Sequence, residues 1–123
     1  MKTADLIGAP LDYWVAQIER QTGVKIYISY KNGIPQCVNR GCGEEKWFCP
    51  SISWEQGGPI IERHGIETWP DSALDMKDPI PGVWYAALRG IEHPSGASTP
   101  LVAAMRVYVA HVYGDTVPDE VLA

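Results

Sequence analysis

Thr99-Pro100-Leu101-Val102-Ala103-Ala104-Met105-Arg106-Val107-Tyr108-Val109-Ala110-His111-Val112-Tyr113-Gly114 decides how the chain is built. Thr99 is suited to accept a hydrogen bond from the free N–H groups of a helix start, and Pro100 brings the fixed φ and dispensable N–H of a first helical position. Leu101, Ala104, Met105, Tyr108 and Val112 then share one face, and Gly114 ends the run. Val102 and Val109 widen the apolar stripe, so the helix is predicted to be buried on more than one side. Other elements must therefore surround it.

A second amphipathic run lies near the start. Leu11, Trp14, Val15 and Ile18 predict a helix over Pro10 to Gln21, with Asp12 in the first turn and Gly23 closing it. Thr3 to Ile7 can form one turn capped by Thr3. Val24 to Tyr30 alternates like a half-buried strand, and Asn32-Gly33 forces a tight turn after it. Pro35 removes a ladder donor almost at once, and Gln36 to Pro50 shows no period, so residues 36–50, which hold all three Cys, read as a loop. Ser53 and Gln56 have capping-box spacing ahead of a short helix over Pro59 to His64, which Gly65 closes.

Ile66 to Trp69 and Val83 to Arg89 are predicted strands, most economically an antiparallel pair. The connection bears Asp71, Asp75 and Asp78 but lacks the sixth-position glycine and closing Glu of a calcium loop, so these acids read as solvated turn residues. Residues 115–123 form an acidic tail that is expected to be mobile. The predicted class is α+β: one domain, 1–123, with a small antiparallel sheet of two or three strands packed by an N-terminal and a C-terminal helix and rich in loops. The 12 Gly and 10 Pro support the loops. Five Trp and six Tyr against one Phe suggest amphipathic rings packing them into the core.

The net charge of −5, with no cluster of basic residues along the chain, argues against nucleic-acid binding. Apolar runs such as Leu101 to Met105 are far too short to span a bilayer, and no secretory signal is visible, so reduced Cys and a cytoplasmic location are expected. Cys37, Cys42, Cys49 and His64 supply the ligand count of a structural zinc site. No Cys-x-x-Cys pair occurs, so thiols that pack in a loop are the favoured reading and no cofactor is expected. His64, His93 and His111 read as structural or surface residues, since no nucleophile elbow, zincin, Walker or dinucleotide motif accompanies them. The glycine-rich stretches Gln56 to Pro59 and Pro94 to Ser98 read as helix entries rather than anion sites.

Leu11-Asp12-Tyr13-Trp14-Val15-Ala16, Trp54-Glu55-Gln56-Gly57-Gly58-Pro59-Ile60-Ile61-Glu62-Arg63, and Thr99 to Arg106 continuing to Gly114-Asp115 together resemble the NinX-like family, small bacteriophage and prophage proteins classed as a domain of unknown function. The resemblance spans nearly the whole chain. It implies expression in an infected bacterium and a place in the host cytoplasm, and it brings no family-wide mechanism. The stretch from Cys37 to Cys49 lies outside the resemblance, which further weakens zinc.

Asp12, Trp54, Gly57, Gly58, Pro59, Glu62, Arg63, Pro100 and Arg106 are the motif positions at which a shared site is sought. Helix ends and packing account for most, leaving Glu62, Arg63 and Arg106 as the polar exceptions. The leading expectation is a phage accessory protein that binds a host or phage protein, with no nucleic acid and no membrane. A homodimer is expected to bury any surplus apolar surface of the last helix. The competing expectation is a small-molecule enzyme whose cleft gathers Glu62, Arg63, Arg106 and His64 between the middle segment and the last helix.

Overall fold

A computed structural model describes residues 1–19, 25–41, 44–70, 83–88 and 95–118. After a 3-10 turn at Thr3–Asp5 come helix α1 (Gly8–Glu19), strands β1 (Lys25–Lys31), β2 (Ile34–Gly41) and β3 (Glu44–Trp47), and helix α2 (Trp54–His64). Strands β4 (Glu67–Pro70), β5 (Trp84–Ala87) and β6 (Ser95–Ala97) precede helix α3 (Pro100–Tyr113). The class is α+β with N- and C-terminal helices, and the strands form two antiparallel sheets, β1-β2-β3 and β4-β5-β6.

Helix α3 is the centre. Thr99 caps it, its Oγ1 accepting from Val102 N–H at 3.2 Å, and Gly114 ends it at φ +87°. Leu101 to Met105 and Val107 to Val109 are all buried, and the helix packs on α1, α2, the β4-β5-β6 sheet and the 3-10 turn. Such an apolar cylinder is stable in water only when covered on every side. The stripe from Leu101 to Val109 is covered within the chain, while Val112 and Tyr113 in the last turn are exposed.

The chain ends cooperate. Thr3 N–H donates to Asp115 O and Val117 N–H to Met1 O, each at 2.9 Å, and Lys2 bridges Thr116. Thr3 spends its hydroxyl on Gly114 O at 3.1 Å rather than capping its own turn. Val117 is buried, and from Asp115 to Val117 the backbone groups of the two segments satisfy each other. Residues 119–123 lie outside the described residues, as do Asp71, Asp75 and Asp78.

Residues 36–50, expected to be loop, instead supply most of β2 and all of β3. Asn32 at φ +53° and Gly33 at φ +79° make the twisted two-residue turn that hairpins favour, and Lys31 pairs Ile34. Alternation along this ladder turns the N–H position of Pro35 away from β1, and β3 starts pairing only at Val38. The missing donor thus falls on an open edge, where proline is tolerated.

Helix α2 also starts earlier than expected, at Trp54. Pro59 forfeits only a bond to the first turn, so the helix runs through it. At the other end Gly65 is left-handed, and Ile66 N–H bonds Ile61 O at 3.0 Å, which closes the helix on a hydrophobic contact. Ser95–Ala97 pair with β5 as β6, and the chain then enters α3 through Ser98 and the Thr99 cap.

Glycine content separates two neighbours on α2. A Cβ on Gly57 would lie 2.5 Å from Pro50 O and 2.7 Å from Leu101 Cδ2, whereas one on Gly58 would meet nothing within 4 Å. Gly57→Ala is expected to lose about 1–3 kcal/mol in urea denaturation. Gly58→Ala, by contrast, should be neutral or gain up to about 1 kcal/mol from helix propensity. Equal effects would show that the helix does not press on Pro50.

Candidate functional site

Between β3 and α2 the chain has no regular structure of its own, and its backbone groups need partners. Gln56, on the first turn of α2, provides two of them. Its Oε1 accepts from Cys49 N–H at 2.5 Å and its Nε2 donates to Trp47 O at 2.9 Å. Asp12 of α1 provides a third, Oδ1 accepting from Ser51 N–H at 3.0 Å. Ser53 shows no side-chain cap bond, so the Ser53–Gln56 pair is not a capping box; Gln56 reaches back across the connection instead. With Gly57 pressed on Pro50, residues 48–53 are held from beneath by two motif positions, Asp12 and Gly57, and by Gln56 between them and the strand end.

The held segment and the residues that flank it, Trp47 at the end of β3 and Trp54 at the start of α2, display apolar side chains to solvent. Trp47 is 49% exposed, Ile52 63% and Trp54 57%. Rings expected to pack into the core are thus largely outside it. Trp14 packs on the core, its ring edge-on to Tyr13 and Tyr113, while Trp69 is exposed beside Tyr85 with centroids 6.0 Å apart. The physical reason lies in α3, whose Val, Ala, Leu and Met side chains already fill the centre.

Beneath the segment sits a buried acidic and thiol cluster. Burial pushes the Asp12 carboxyl up to about 7, with Ser51, whose N–H donates to Oδ1, opposing part of that rise. Burial, then the charges of Asp12 and Cys49, push the Cys37 thiol up to about 12, and Cys49 is raised for the first two of these reasons. Both are free cysteines and poor nucleophiles at neutral pH.

His64 belongs elsewhere, its ring stacked on Tyr108 at 4.6 Å from the far end of α2. Cys42 lies outside the described residues. Among the described residues no group of three His, Cys, Asp or Glu side chains could hold a metal ion, so the set Cys37, Cys49 and His64 is not assembled.

Nor do Glu62, Arg63 and Arg106 converge. Arg106 is spent on the backbone, Nε donating to Leu6 O at 2.6 Å and one terminal nitrogen to Gly96 O at 2.8 Å. It ties the N-terminal segment to β6. Exposed Arg63 pairs with Glu19, which also accepts from the Tyr108 hydroxyl at 3.3 Å, and Glu62 is exposed on α2. Pro59 is exposed on the same helix, and Pro100 opens α3. Sequence reading singled out Trp54 but missed Trp47, Ile52 and Gln56. Their signal was large apolar residues at a loop flanked by motif positions, with no period to reveal them.

Comparison with known proteins gives one family. The model of the family described as Bacteriophage P22, NinX matches residues 2–112, a span that holds Asp12, Gln56, Gly57 and Arg106. Among curated proteins nothing matches the chain.

The Asp12 latch has a pH signature. Unfolded, the group ionises near its ordinary 3.8; folded, near 7, so the native state holds the proton more tightly between these values. Its contribution is fully present below about 4 and is lost as pH rises through about 7, at no more than about 1.4 kcal/mol per pH unit. Urea titrations from pH 4 to 8 should show this slope in the native chain and not in Asp12→Asn, which keeps an acceptor for Ser51. Asp12→Ala orphans that N–H and should lose about 1–3 kcal/mol. Superimposable pH profiles for the native chain and Asp12→Asn would contradict the latch.

Proposed function

The chain belongs to the family of the bacteriophage P22 protein NinX, and from that premise we propose that this phage accessory protein is a protein-binding module. It acts in the cytoplasm of the infected host, on a host or phage protein, through the surface of Trp47, Ile52 and Trp54. The observation that carries the reading is their exposure on a segment locked from below by Asp12, Gln56 and Gly57. Exposed tryptophan on a fixed backbone is the composition of an interface hot spot, and the fixed backbone lowers the ordering entropy lost on binding. Among the described residues no helix is long and apolar enough to cross a membrane.

The enzyme reading has less support, since Arg106 is committed to Leu6 and Gly96 while Arg63 pairs with Glu19. Glu62 and Arg63, exposed on the same helix as Trp54, sit where a polar rim would be.

Tagged protein incubated with lysate from infected bacteria should capture a defined partner. Trp54→Ala and Trp47→Ala should lose it while their unfolding free energies stay within about 0.5 kcal/mol of the parent chain. Charge reversal at Glu62 or Arg63 should weaken capture less. Repeated failure to capture anything, or the same partner retained by both tryptophan variants, would sink the reading.

A further inference from the structure

The period-two alternation of β1, β2 and β3 sorts their side chains onto two faces. One faces α1, where Cys37 lies against Asp12 and Phe48 packs on the core. The other carries Lys25, Tyr27, Ser29 and Lys31 from β1, Ile34, Gln36, Val38 and Arg40 from β2, and Glu45 and Trp47 from β3. Tyr27, Val38 and Trp47 align in one row across the three strands, and Lys25, Arg40 and Glu45 in another.

Lys25, Lys31 and Arg40 are exposed on this face, and so are Ile34 and Trp47. Its acid, Glu45, is engaged by the Tyr27 hydroxyl, which donates to Oε1 at 2.6 Å. A chain of net charge −5 thus presents one outward sheet face on which cations prevail, though its basic residues are scattered along the sequence. The hairpin register gathers them.

We infer that this outward face of the β1-β2-β3 sheet, running into Trp47, docks an acidic polypeptide segment of the partner that also carries apolar side chains. The inference rests on the protein-binding reading and names the chemistry of what binds. Charge complementarity selects the acids, since Lys25 and Arg40 lie at one end of the face and Lys31 at the other. Along β1 these ends stand about 20 Å apart, the reach of roughly six extended residues. Val38 is buried beneath the row it shares with Tyr27 and Trp47, so the exposed side chains of Trp47 and Ile34 take the apolar side chains of the segment. A second copy on the same face would set lysine against lysine. A nucleic acid would meet Glu45 and an acidic chain, with few phosphates neutralised in return.

The probe is a fluorescein-labelled peptide of alternating Glu and Leu, followed by anisotropy with the full chain, against the same peptide with Lys for Glu and against an oligothymidylate of similar length. The acidic peptide should bind saturably, and binding should weaken at least roughly tenfold in Trp47→Ala, in the double variant Lys31→Glu/Arg40→Glu, and on raising the salt several-fold. The lysine peptide and the oligonucleotide should not bind. Those substitutions lie at exposed positions, and an unchanged thermal melt confirms that each variant is folded. No binding of the acidic peptide, equal binding by the charge-reversed variant, or preference for the oligonucleotide would each overturn the inference. A captured partner that is lost in Trp54→Ala and kept in Lys31→Glu/Arg40→Glu would overturn it while leaving the protein-binding reading intact.

Discussion

Burying α3 from Leu101 to Val109 constrains everything else in this protein. Ala103 and Ala104 let neighbouring backbones come close, while Leu101, Met105, Val107 and Val109 give them apolar surface to cover. Helix α1 takes one side, the β4-β5-β6 sheet another, and α2 with the 3-10 turn completes the casing. Polar contacts then fix how the casing sits. Arg106, whose backbone partners are Leu6 and Gly96, joins the N-terminal segment to the third strand of the sheet. Its burial lowers the guanidinium's affinity for its proton, with Asp5 partly restoring it, but an arginine so held remains charged.

Elements that announce themselves by local chemistry were legible in the sequence. Thr99-Pro100 and Gly114 bracket α3, Leu11 to Ile18 mark α1, and Asn32-Gly33 marks the hairpin turn. What was not legible depended on contacts between distant residues. Strand β2 looked like a loop because Pro35 appears to break it, and only the register shows that the lost donor faces an open edge. Strand β6 is Ser-Gly-Ala, with no strand propensity of its own; the Tyr85 ring lies over Gly96, whose Cβ would fall 3.1 Å from Cε1, and Arg106 holds the Gly96 carbonyl. Gln56 has the spacing of a local cap, yet its amide serves the connection it faces.

The site was half legible for the same reason. Asp12, Gly57 and Trp54 stood out as motif positions, but the roles divide: Asp12 and Gly57 hold the segment and Trp54 is held out by it. Arg106 stood out as a polar exception and proves to be a backbone clamp. Exposed charge at Arg63 and Glu19 adds little to stability, because solvent screens the pair. Composition told the number of tryptophans and nothing about their exposure; Trp14 packs on the core while Trp47, Trp54 and Trp69 are left outside.

Why the latch is polar follows from what it holds. Residues 48–53 make a turn between a strand end and a helix start, with Ile52 and Ser53 N–H groups both returning to Cys49 O, so Ser51 N–H has no partner within the segment. An apolar residue at position 12 would fill space and leave that donor buried and unpaired, whereas a carboxyl raised to about 7 accepts the bond and sheds much of its own desolvation cost by holding its proton below that pH. The amide of Gln56 does the same for the Cys49 N–H and the Trp47 carbonyl without bringing a charge. Fixing the backbone through these side chains leaves the outward side chains free of structural duty. Trp47, Ile52 and Trp54 lend no side chain to the latch and stay exposed above it.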